Sequence, residues 1–232
     1  MTKKTMTATG PQIHITVFTD PLCCWSWAFE PQLQKIKMQL GQHASWQYKM
    51  CGLIPSWDNF HDQENSVSRP VQMGPVWMHA GQVAGMPIHH EIWIKDPPAS
   101  SYPPCVAVKC AQLQSAELGE QFLTALRQAC MAEGRNIAKK SVLVEVAGKL
   151  ALAQPAFNAR QFEVDYSQQN ALPLFRADMD EVRYLQLNRF PALIIKANNQ
   201  KAIMLSGYMK AEQVLKAIGE MAPLTRMPQT RH

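Results

Sequence analysis

Nowhere does the chain hold an apolar run approaching about 18 residues, so no membrane-spanning helix is expected. The opening stretch Met1–Gly10 is polar and threonine-rich, with no apolar segment of the secretory kind, and the expected location is the cytoplasm. Basic blocks are missing as well. Lys and Arg (23) exceed Asp and Glu (18) for a formal charge of +5, but the densest clusters are only Lys3-Lys4, Lys35/Lys37 and Lys139-Lys140. Without a basic block or an Arg stripe, nucleic acid is excluded as an expected partner. The six cysteines form no C-x-x-C pair, and His89-His90 has no further ligand at zinc spacing, so no metal site is expected. In a cytoplasmic setting they do not read as a disulfide framework, and Cys51, Cys105, Cys110 and Cys130 read as small buried hydrophobes. Internal repeats and low-complexity tracts are absent too.

What is present is an ordinary globular composition, 47% hydrophobic and 18% charged over 232 residues. That suits one domain, or one domain carrying a large insertion. Ile13, Ile15 and Val17 alternate with polar residues as in a strand, which Asp20-Pro21 breaks. From Ser26 to Leu40 apolar residues recur at helical spacing, closed by Gly41, and Trp46, Tyr48 and Met50 alternate again. Strand, helix and strand make a βαβ unit with a parallel pair. Pro55 to Pro98 is irregular, the pattern of a binding lid, with a short helix expected around Pro75–Ala84. Helices follow from Pro103-Pro104 to Ser115, across Leu118–Cys130, across Val142–Leu150, and in a short piece at Ala159–Val164. A helix over Leu172–Leu185, strands at Ala192–Lys196 and Ala202–Ser206 around an Asn198-Asn199 turn, and a helix over Ala211–Glu220 complete the chain. The expected fold is α/β, a thioredoxin fold with a large helical insertion. Its parts are residues 12–56 (βαβ), 57–170 (lid and insertion) and 171–221 (αββα).

In this plan Cys23 stands at the turn entering the first helix. Unpaired N–H groups and the helix dipole there favour an anion, so a depressed thiol pKa and a reactive thiolate are expected. Asp20 would oppose that shift, unless it serves mainly to end the strand.

The run FTDPLCCWSWAFEP resembles the active-site segment of the DsbA-like thioredoxin-fold oxidoreductases, whose cytoplasmic members carry D-P-x-C-x-W-C-W. SSYPPCVAVKCAQLQ and EQFLTALRQACMAEGRNIAKKSVLVEVA resemble the helical insertion of that family. ALPLFRADMDEVRYLQLNRFPALII resembles its return to the core, and SGYMKAEQVLKAI its closing strand and helix. The resemblance implies thiol–disulfide chemistry through Cys23. It departs at the fourth position, where Ser26 replaces the resolving cysteine and leaves a monothiol C-x-x-S site. The Ser26 hydroxyl could hydrogen-bond the thiolate. Cys24 is a possible auxiliary thiol, although a disulfide between neighbours closes a strained ring. Asp20, Ser26-Trp27 and Phe29-Glu30 also match the related kappa-class glutathione transferases and 2-hydroxychromene-2-carboxylate isomerases, with Cys23 where those carry a catalytic serine.

Trp25, beside Cys23, is read as a substrate contact, and the resemblance carries the same role to Phe190-Pro191, the proline being cis in this fold class. Arg189 could meet a glutathione carboxylate, or it is a solvated surface cation. Trp25, Trp27, Trp77 and Trp93 could line an apolar cleft, or could pack the helix and the lid. Met73, Met78 and Met86 could adapt to ligands or merely fill gaps. Three readings stay open. The first is a thiol–disulfide oxidoreductase or isomerase acting on a disulfide-containing protein or a small thiol. The second is a glutathione-dependent transferase or isomerase, and the third a redox-silent adaptor using the same cleft. No tightly bound cofactor is expected; glutathione enters as a co-substrate. The oligomeric state is left open, a homodimer included.

Overall fold

Strand β1 (Ile13–Thr19) buries Ile13, Ile15, Val17 and also Phe18, more than one covered face requires. Its place in the sheet explains this. The computed structural model describes residues 13–197 and 200–221, and within them β1 is an inner strand of the order β2-β1-β3-β4. It runs parallel to β2 (Ala44–Met50) and antiparallel to β3 (Ala192–Ala197), which pairs antiparallel with β4 (Ile203–Ser206). Ile15 and Val17 face the main core with Leu33 and Ile36 of helix α1 (Cys24–Leu40). Phe18 faces the opposite side with Val182 of α8 (Leu172–Tyr184). The Asn198-Asn199 turn and the Met1–Gly10 stretch lie outside the described residues.

The insertion between the halves of the sheet comprises α2 (Met73–Ala84), the single turn α3 (Ile92–Lys95), α4 (Tyr102–Gln114), α5 (Ala116–Arg127), α6 (Lys140–Ala153) and α7 (Ala159–Ser167). Helix α9 (Ala211–Met221) packs on α1. Two boundaries differ from the periodicity. The helix read across Leu118–Cys130 ends at Arg127 and continues as one π-helical turn, Gln128–Ala132. Helix α7 runs on to Ser167, with the Asn158 side chain accepting from Gln161 N–H at its start. No helix among the described residues is long and apolar enough to cross a membrane.

The insertion grips the sheet by polar as well as apolar contacts. Gln112 of α4 donates to the Tyr48 carbonyl (3.1 Å), and Met50 N–H donates to Asp178 of α8 (2.9 Å), so side chains cover the outer edge of β2. Asp178 in turn pairs with buried Lys109 (2.7 Å). Gly52, at φ +60°, turns the chain sharply after β2. A Cβ there would lie 2.8 Å from Tyr102 Cε1 and 2.9 Å from Phe175 Cζ, so the chain passes where only glycine fits. In the irregular segment Trp77 and Trp93 are wholly buried edge-to-face (5.1 Å), and Trp57 packs on Trp93 (5.7 Å).

Candidate active site

The turn that carries Cys23 is pinned from both sides. Cys23 N–H donates to the Asp20 carbonyl (3.1 Å), closing the turn after β1. The Asp20 carboxylate accepts from Leu22 N–H (2.8 Å) and, across the fold, from Leu53 N–H (2.7 Å). Asp20 is fully buried and locks the two loops at this end of the sheet together. Helix α1 begins at Cys24, two residues before the start read from periodicity. The reason is that Cys23 is its N-cap, the sulfur accepting from Ser26 N–H at 3.4 Å. The reactive sulfur thus occupies the place a Ser or Asp oxygen usually takes. The Ser26 hydroxyl is buried and has no formed hydrogen bond among the described residues.

The expected depression of the Cys23 pKa is overturned. Cys23 is only 5% exposed, and burial, the largest influence, pushes the thiol up. Ser26, through its side chain and its N–H, favours the thiolate. The Asp20 charge then raises the pKa further and the Arg127 charge lowers it. Helix capping acts in the direction expected but is outweighed by desolvation. Burial likewise raises Asp20, against two backbone N–H bonds that favour its charged form. Alkylation of Cys23 by iodoacetamide, followed by peptide mass spectrometry, is therefore expected to be still rising with pH at about pH 8.5, the ordinary thiol value. A plateau below pH 7 would contradict this assignment.

Cys23, Cys24 and Trp25 form one wall of a cleft of about 1070 Å³. Phe190 lies on another wall, beside a cis Phe190–Pro191 peptide bond at the head of β3. Trp25 is held between His79 of α2 (5.5 Å, edge-on) and Tyr208 (6.2 Å). Residues His61 to Asn65 also line the cleft. This loop is braced by reciprocal Asp62–Val67 backbone bonds, and the Asp62 side chain accepts from Asn65. Of the four tryptophans considered for the cleft, Trp25 alone is among its lining residues. Trp27 is buried, its indole near the Pro87 carbonyl (3.4 Å), and Trp77 and Trp93 pack the lid. Met73 reaches the cleft, whereas Met78 is exposed and Met86 packs against the core.

All six cysteines are unbonded. Cys105 comes close to the site, its thiol donating to Asp20 Oδ2 (3.3 Å), and the Cys51 thiol donates to the Thr19 carbonyl (2.8 Å). Burial raises both thiols well above their ordinary value. Cys110 lies near Asp165 and Ala171, its thiol pushed up to about 12 by burial. The sequence reading missed Arg127. From α5 its guanidinium, 2% exposed, pairs with Glu30 of α1 (2.8 Å) and donates to the Thr19 hydroxyl. A signal was present: Arg127 stands four residues after Leu123 and three before Cys130, in register with a buried stripe. It also missed Glu64, which pairs with Arg189 in the cleft lining; nothing in that irregular segment marks it.

A cysteine capping the first helix of a βαβ unit, opposite a cis-proline that opens the next strand, defines a thioredoxin-fold protein with a thiol site. The family model described as thioredoxin matches residues 16–216, and the chain belongs to that family. Its fold is DsbA-like. A putative protein disulfide isomerase from Nitrosomonas europaea superimposes with a TM-score of 0.73 at 19% identity, covering 90% of this chain and 98% of that one. The cytosolic disulfide reductase DsbM from Pseudomonas aeruginosa gives 0.63 at 21% identity (83% and 89% covered), and has also been solved with GSH. In sequence, the ClpXP adapter protein SpxH of Halalkalibacterium halodurans is 30% identical over 68% of this chain and 50% of its own length. The chain thus spans about half the length of the curated relatives it matches.

Proposed function

We propose that the protein is a cytoplasmic thiol–disulfide oxidoreductase that works through Cys23 alone and is completed by glutathione. The observation that carries this is the placement of the Cys23 sulfur. It caps α1 on the wall of an open cleft, with the cis Phe190–Pro191 segment on another wall. A disulfide-bearing substrate enters extended along Phe190. The Cys23 thiol loses its proton, and its thiolate attacks one substrate sulfur. The Cys23–sulfur bond forms as the substrate S–S bond breaks, and the leaving thiolate takes up a proton. Ser26 has no thiol with which to finish the cycle. A glutathione thiolate then attacks the substrate sulfur of the mixed disulfide: a substrate–glutathione S–S bond forms as the Cys23–sulfur bond breaks, and the departing Cys23 thiolate regains a proton. A second glutathione thiolate attacks the glutathione sulfur of that product, so that the substrate leaves as a dithiol and two glutathiones, the reductant, leave as oxidised glutathione. Ser26 N–H and hydroxyl support each thiolate as it appears, and Arg127 adds a positive charge beneath the turn.

The structure of DsbM with GSH, a protein of the same fold, supports glutathione as the second thiol. Incubation with oxidised glutathione is expected to give one mixed disulfide that maps to Cys23 and is missing from Cys23→Ala. An adduct that survives Cys23→Ala, or none at all, would refute the reading. A second reading, a redox-silent adaptor, is favoured by the SpxH relatives and by the raised Cys23 thiol. It requires a protein partner bound at the cleft with equal affinity in wild type and Cys23→Ala.

A further inference from the structure

Arg189 is the one lysine or arginine among the described residues that line the cleft, and its position is built rather than incidental. It directly precedes the cis Phe190–Pro191 bond. Its aliphatic stem lies over Gly207, whose φ is +82°. A Cβ at Gly207 would stand 3.1 Å from Arg189 Cδ and 3.6 Å from Cγ, so glycine leaves the space in which the arm rests. Gly207 N–H donates to the Pro191 carbonyl (2.8 Å), fixing that support to the same strand opening. The guanidinium pairs with the carboxylate of Glu64, a fellow lining residue that the braced 61–67 loop presents. Both side chains are more than half exposed (57% and 59%), so water screens the pair and an incoming carboxylate can replace Glu64 readily.

We infer that Arg189 is the carboxylate-binding residue of the cleft, and that Glu64 holds its place until a carboxylate-bearing thiol of the glutathione type displaces it. The inference rests on the glutathione-linked reading above. A ligand with sulfur at Cys23 and backbone along Phe190 has Arg189, the residue just before Phe190, within the same cleft lining. A guanidinium meets a carboxylate there in a two-pronged geometry that an ammonium does not offer. The other ionisable side chains of the lining are the carboxylates Asp62 and Glu64, the imidazoles His61 and His79, the thiols Cys23 and Cys24 and the Tyr208 phenol, so Arg189 is the one guanidinium or ammonium there to meet a ligand carboxylate. Glu64 is then an internal competitor that sets how tightly such a ligand is held.

The test uses a Cys23→Ser protein, in which binding is read without disulfide exchange, and two probes, S-methylglutathione and its dimethyl ester. Calorimetry is expected to show the free acid bound at least fivefold tighter than the ester. Arg189→Leu should erase that preference, and Glu64→Gln should tighten the acid about threefold while leaving the ester unchanged. Because Arg189 is exposed, its replacement should leave the melting temperature as it was, which separates a lost contact from a lost fold. An acid-to-ester ratio unchanged in Arg189→Leu, or no binding of S-methylglutathione at all, would overturn the inference. The redox reading is judged separately, by the Cys23 adduct in wild type. Binding with the stated preference but no adduct would refute catalysis and leave the carboxylate site standing.

Discussion

Replacing Ser26 with cysteine is expected to shorten the lifetime of the Cys23–glutathione mixed disulfide at least about a hundredfold, with no added thiol. The position is already right. Ser26 N lies 3.4 Å from the Cys23 sulfur within one turn of α1, so a thiol on the same residue stands beside the bond to be broken. The hydroxyl that is replaced favours the Cys23 thiolate but bonds no other group among the described residues. In the wild type a second thiol must diffuse in at roughly millimolar concentration. A well-oriented neighbouring group acts at effective molarities of about 10⁵–10⁸ M, so even a poorly aligned one wins by orders of magnitude. The check is acid-quenched mass spectrometry of the decaying adduct. Equal lifetimes in Ser26→Cys and wild type would sink the monothiol reading. Any thiol-independent decay in the wild type would belong to Cys24, the neighbouring cleft-wall thiol, and should vanish in Cys24→Ser.

The second large effect concerns stability. Arg127→Ala is expected to destabilise the protein by about 3–5 kcal/mol, because it strands the largely buried Glu30 carboxylate without its cation. Domains of this kind are typically stable by roughly 5–15 kcal/mol, so the loss should appear as a large fall in the urea midpoint. Adding Glu30→Gln to Arg127→Ala removes the stranded charge without refilling the space and should recover much of the loss, which a purely steric role for Arg127 would not allow. The same single variant should also slow Cys23 alkylation at neutral pH, since the Arg127 charge lowers that thiol's pKa. A loss below about 1 kcal/mol would show that water or another group already compensates Glu30.

Much of the framework was readable from residue order. The alternation of Ile13, Ile15 and Val17, the helical spacing to Leu40 and the alternation through Met50 are local patterns, and local patterns survive folding. The thiol's position at the head of α1 followed from that register. Its pKa did not, because burial comes from elements far along the chain, and desolvation opposed the helix-end effect with greater weight. The Glu64–Arg189 pair was illegible for a similar reason. Its members are 125 residues apart, and one sits in a loop with no period to read. Arg127 lay between these cases: its spacing marked a buried face, but a buried guanidinium acquires meaning only with Glu30 opposite it.

The sheet order also sets a timetable for synthesis. Strands β1 and β2 leave the ribosome close together and can pair at once, whereas β1 meets its other neighbour only when Ala192–Ala197 has been made. At about 5–20 residues per second, the stretch from Met50 to Ala192 takes on the order of ten seconds. Throughout that interval the Leu193 and Ile195 side of β1 stays an open edge, and Cys23 sits at the end of a half-built sheet. Asp178, which caps the far edge of β2, emerges shortly before β3. Between the making of β2 and of β3 the nascent chain therefore carries the Cys23 thiol beside an unpaired edge of β1, which closes only when Ala192–Ala197 pairs with it.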